Sequence, residues 1–91
     1  MIELDMNQPS FQKALFELEK TDLISVISAC RKLRNLTWEK LYQHQGLHWE
    51  WISSKAYYTF RASSKIRVAA VRKANLVELQ DIFTDHDSAY A

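Results

Sequence analysis

The spacing of hydrophobic positions changes near residue 46, and the change separates a helical half from a stranded half. Phe11, Ala14, Leu15 and Leu18 recur at i, i+3, i+4 and i+7, the repeat of one helix face. Pro9 suits the first turn of that helix, where its missing N–H costs nothing, and Asn7 is the candidate cap. A second stripe runs through Leu23, Val26, Ile27, Cys30 and Leu33, with Thr21 or Asp22 as its cap. Thr37 opens a short third helix over Trp38 to His44, which Gly46 is expected to end. Ahead of all three, Ile2 to Asp5 reads as a short edge strand.

Beyond Gly46 the period becomes two. Leu47, Trp49 and Trp51 alternate with His48 and Glu50, and Tyr58, Phe60 and Ala62 alternate with Tyr57, Thr59 and Arg61. Ile66, Val68 and Ala70 alternate with Arg67, Ala69 and Val71, and Val77 and Leu79 begin a last run ending near Phe83. Alternation rich in aromatic and β-branched residues means strands. The short breaks at Ser53-Ser54-Lys55, Ser63-Ser64 and Lys73-Ala74-Asn75 suit hairpins. The predicted fold class is α+β: a short N-terminal strand, a helical hairpin, then an antiparallel sheet of three to four strands with the helices on one face. The other face is left to carry basic residues.

With 91 residues, one glycine, one proline and no repeat or linker, a single domain spanning residues 1–91 is expected. Hydrophobic residues at 47% and charged residues at 25% describe a globular chain rather than a disordered one. No apolar run approaches the ~20 residues that cross a bilayer, and the first residues do not read as a signal peptide. The single cysteine, Cys30, allows no intrachain disulfide and fits a reducing cytoplasm. Its place on the apolar stripe makes it a core residue rather than a nucleophile.

A net charge of only +1 conceals a local bias. From Lys55 to Lys73 every charged residue is basic: Lys55, Arg61, Lys65, Arg67, Arg72 and Lys73. Such a one-signed segment suggests an anionic ligand, against the plainer reading of a solvated basic face. Arg61, Lys65 and Arg67 flank the Ser63-Ser64 turn, where a hairpin lets side chains share a face. Guanidinium groups can hold a phosphate bidentately and stabilise it as attack makes it more negative. The run Asp85-His86-Asp87-Ser88-Ala89-Tyr90 adds a histidine able to exchange protons near neutral pH and a tyrosine able to stack on a base. Adjacent residues rarely aim at one ion and no second ligand cluster is evident, so no metal is expected. His44, His48 and Glu50 read as structural, although Glu50 could face the basic cluster and act as a base. Trp49 is assigned to the core. No glycine-rich phosphate loop, nucleophile elbow or CxxC pair occurs.

The runs Gly46-Leu47-His48-Trp49-Glu50-Trp51-Ile52, Tyr57-Tyr58-Thr59-Phe60-Arg61, Lys65-Ile66-Arg67-Val68 and Asp85-His86-Asp87-Ser88-Ala89-Tyr90 together resemble the RelE/ParE superfamily of type II toxins. The order of elements agrees along nearly the whole chain, and the stretch from Gly46 to Tyr90 is its most specific part. The resemblance implies a metal-independent endoribonuclease, without cofactor, that cuts messenger RNA on the ribosome by attack of the 2′-hydroxyl on the adjacent phosphate. It implies Arg67 for phosphate contact, His86 for proton transfer and Tyr90 for stacking or orientation. Arg61, Lys65, Arg72 and Lys73 would supply further phosphate contacts. It also implies a cognate antitoxin, a toxin–antitoxin hetero-oligomer and a cytoplasmic setting. Two other outcomes stay open: a ParE-like toxin that inhibits DNA gyrase, and an inactive homologue that only binds antitoxin.

Overall fold

The computed structural model describes residues 1–90, without the side chains of His86 and Asp87. The elements are β1 (Glu3–Asp5), α1 (Pro9–Phe16), α2 (Lys20–Arg34), α3 (Trp38–Gln43), β2 (Glu50–Ile52), β3 (Tyr57–Arg61), β4 (Arg67–Lys73), β5 (Leu76–Phe83) and a 3₁₀ turn (His86–Ala89). The strands form one sheet in the order β1-β5-β4-β3-β2. From β2 to β5 the neighbours are antiparallel, as the three hairpins require, whereas β1 lies parallel to β5 on the far edge. The α+β class holds, and the sheet has five strands because the N-terminal strand joins it.

Helices cover one sheet face. Phe11 and Leu15 of α1, Val26 and Leu33 of α2 and Leu41 of α3 pack with Phe60, Val68, Ala70, Val77 and Leu79 of the sheet. The alternation seen in sequence is what points these strand residues to a common side. Cys30 is buried in the same core, and burial pushes its thiol up to about 12.

Several boundaries differ from the sequence reading. The first helix is capped at Gln8 and the second at Glu19, neither through its side chain, so Asn7, Thr21 and Asp22 are not caps. Asn7 instead gives its backbone N–H to Asp5 Oδ1 at 2.9 Å. Pro9 does occupy the first helical turn, and Thr37 does cap α3, its hydroxyl accepting from Lys40 N. Gly46 does not end α3: the cap is His44, and no glycine has a positive φ. What Gly46 provides is room, since a Cβ there would meet the His44 ring at 3.1 Å. Ile27 is 38% exposed because the buried stripe of α2 runs through Ala29 and Cys30 instead. Trp51 shares the side of Trp49 but is 51% exposed, because β2 is the outermost strand.

Candidate active site on the open sheet face

The face away from the helices is assembled by register. Arg61 stands directly opposite Arg67, Thr59 opposite Ala69, and Glu50 opposite Thr59. Paired residues project to the same side, so Glu50, Thr59, Arg61 and Arg67 share the open face. The C-terminal segment folds back over it. The Tyr57 hydroxyl donates to Ala89 O at 2.8 Å, and Ala89 is fully buried. The Tyr90 hydroxyl then reaches Glu50 Oε1 at 2.8 Å.

Arg67 is the centre of this arrangement. Only 3% of it is exposed. Its Nη1 donates to the carbonyls of Ser63 at 2.9 Å, Ile66 at 3.1 Å and Ser64 at 3.4 Å, so the β3–β4 turn (residues 62–66) fixes the side chain from behind. The Ser63 hydroxyl shapes that turn by accepting from Ile66 N at 3.1 Å. Arg67 Nε is buried without a hydrogen-bond partner, and no carboxylate forms an ion pair with this guanidinium among the described residues. A buried charge without a countercharge is costly, and such a site favours an anion.

Glu50 faces the same space. Its Oε1 also lies 3.2 Å from His48 Nε2. His48 holds φ at 49°, in the left-handed region that non-glycine residues seldom adopt. Burial, then the hydrogen bond and charge of Glu50, push the Tyr90 phenol up, while Arg67 and Thr59 pull the other way. Thr59 Oγ1 is buried beside that phenol without completing a hydrogen bond. Tyr57 is raised by burial and by the charge of Asp81. A carboxylate able to accept a proton and a guanidinium able to stabilise negative charge thus face one surface, with a neutral phenol bonded to the carboxylate.

Of the residues expected from sequence, the structure brings Arg67 and Tyr90 together and sets the exposed Arg61 beside them. The His86 side chain lies outside the described residues. The rest of the basic stretch is dispersed. Lys65 lies 3.9 Å from Asp22 of α2, and Lys73 pairs with Glu78 at 3.1 Å. Arg72 projects to the helical side, with its guanidinium carbon 3.6 Å from the Trp38 ring centroid and Nη1 donating to Tyr42 Oη at 3.2 Å. Arg72 and Lys73 therefore do not join the Arg67 group. Trp49 is in the core, stacked on Tyr58 with centroids 4.6 Å apart. His48, Glu50 and Thr59 are the site residues that the sequence reading passed over or left as structural. Among the described residues, no three His, Cys, Asp or Glu side chains are placed to hold a metal ion, and no helix is long and apolar enough to cross a membrane.

No family model matches the sequence, and no curated protein is significantly similar to it. Among solved structures, a copper-bound mutant of a toxin from Helicobacter pylori aligns over 97% of this chain and 98% of that one, with 22% identity and a TM-score of 0.49. Comparison therefore records a distant structural likeness and leaves the family unassigned.

Proposed function

We propose that the chain is the toxin of a type II toxin–antitoxin pair and cuts ribosome-bound messenger RNA on the open sheet face. The observation that carries this reading is the buried Arg67 guanidinium, without a carboxylate partner among the described residues, on the face that also presents Glu50. In the proposed reaction Tyr90 gives up its bond to Glu50 as RNA enters. Glu50 takes the proton from the 2′-hydroxyl, the 2′-oxygen bonds to phosphorus, and the P–O5′ bond breaks. The departing 5′-oxygen takes a proton from an acid of the C-terminal segment, the role the family resemblance gives His86. Arg67 stabilises the charge that grows on the phosphoryl oxygens. The products are a 2′,3′-cyclic phosphate and a 5′-hydroxyl. The antitoxin would cover the apolar side chains left exposed on the helices, Phe16, Ile24 and Ile27.

The test is induced expression in bacteria of the wild type, Glu50→Gln and Arg67→Lys, with mapping of new messenger RNA 5′ ends and circular dichroism of each purified variant. Growth arrest with in-frame cuts, reduced about 100-fold or more in folded variants, is the expected result. Arrest without cuts would move the target to a protein such as DNA gyrase. An absence of arrest would leave an inactive homologue that binds antitoxin.

A further inference from the structure

A second basic surface lies around the corner from Arg67. Between α2 and the β3–β4 turn runs an open cleft of about 430 Å³. Lys32 and Arg61 stand in its walls with the hydroxyl-bearing Ser25, Ser28, Ser63 and Ser64, and Leu47 lies in its floor. Ser25, Ser28 and Lys32 fall at i, i+3 and i+7, so one helix face presents all three. No carboxylate lines the cleft among the described residues. Among the described residues neither Lys32 nor Arg61 has an ion-pair partner, whereas Lys65 at the same turn is engaged by Asp22. Ser63 Oγ accepts two backbone N–H groups, from Lys65 and Ile66, which leaves its own proton to donate outward. Two unpaired cations and several hydroxyls are the chemistry of an oxyanion site.

We propose that this cleft is a phosphate subsite that grips the RNA strand next to the scissile phosphate; the assignment rests on the RNA-cleaving reading of the open face. Arg61 makes the connection. It lines the cleft and stands directly opposite Arg67 in the ladder, so one strand can place one phosphate at Arg67 and a neighbouring one between Arg61 and Lys32. No aromatic ring among the described residues lines the cleft, so it would hold the backbone rather than read bases. The Ser63–Ser64 turn serves both places: its carbonyls hold Arg67 and its residues line the cleft. A phosphate bound there would brace the support of the catalytic guanidinium.

The experiment uses the full chain and a single-stranded RNA pentanucleotide made uncleavable by a 2′-deoxyribose at the cut position. Affinity is measured by fluorescence anisotropy across a salt series for the wild type and for Lys32→Ala, an exposed change that spares the core. The expected result is binding weakened about tenfold, with a salt slope shallower by about 0.7, one phosphate contact on a single strand. Replacing one flanking phosphate by a neutral methylphosphonate should cost the wild type as much and cost Lys32→Ala nothing more. Equal binding and equal slopes for the two proteins would overturn the subsite, as would failure of the wild type to bind the oligonucleotide. Inorganic phosphate that shifts the Ser28 and Ser63 amide resonances without competing against the oligonucleotide would also overturn it, in favour of a free-anion site. Lys32-dependent binding by a protein that cuts no messenger RNA would leave the subsite standing and bring down the cleavage reading alone.

Discussion

Thr59 and Arg67 sit in the middle of the sheet with polar atoms, Oγ1 and Nε, that have no hydrogen-bond partner among the described residues. A buried hydroxyl without a partner carries a desolvation penalty of about 1–3 kcal/mol. Thr59→Val keeps the shape and removes that oxygen, so it should raise stability by about 1 kcal/mol in urea denaturation. If Thr59 helps to position the Tyr90 phenol or RNA, the same variant should lose cleavage, the trade expected where a polar group is kept for function. At this scale the sequence revealed phase but not depth. Alternation marked Arg67 as polar and said nothing of its burial. Its burial comes from the Ser63–Ile66 carbonyls behind it and from its place under a returning C-terminal segment, neither of which is a local signal. Glu50 was readable in principle, because it shares the polar phase of Thr59, Arg61 and Arg67. What was missing was the register that sets Glu50 beside Thr59.

Among the elements, the β4–β5 hairpin is the most exposed to improvement. Lys73 pairs with Leu76, leaving a two-residue turn, Ala74-Asn75, in which Ala74 has a φ of 54°. Two-residue hairpins with a positive φ at the first central position favour glycine there, and an L side chain in that region costs about 1 kcal/mol. Ala74→Gly should therefore raise Tm by about 5 °C in a thermal unfolding scan. A fall in Tm would show that the entropy glycine adds to the unfolded chain outweighs the relieved strain. Hairpin positions were legible because turn residues interrupt a two-residue period. Helix caps were less so: Gln8 and Glu19 are poor capping residues and make no side-chain cap, so neither helix start is marked by its cap.

For the whole molecule, Cys30 links the core to pH. Its thiol is raised from 9.0 to about 12 by burial, so the native state holds its proton where the unfolded chain has already lost it. That contribution is fully present below pH 9 and is lost as pH rises from 9.0 towards about 12. Urea midpoints measured at pH 7, 9 and 11 should fall steeply over the upper interval, and Cys30→Ala should flatten that limb. An unchanged limb in the variant would assign alkaline destabilisation to the tyrosines, of which Tyr57, Tyr58 and Tyr90 are also raised. The α+β class could be inferred from the change of period near Gly46. The place of the first strand could not, since a three-residue segment carries no mark of the strand it will join.

That first strand has a consequence for how the protein is made. Glu3 meets Leu76, so the ladder between them closes a loop almost as long as the chain itself. Closing such a loop is entropically expensive and slow compared with zipping three adjacent hairpins. A ribosome delivers Glu3 and Leu4 well before Leu76 and Val77, their neighbours in the sheet. The first strand therefore waits for the fifth before its place in the sheet exists.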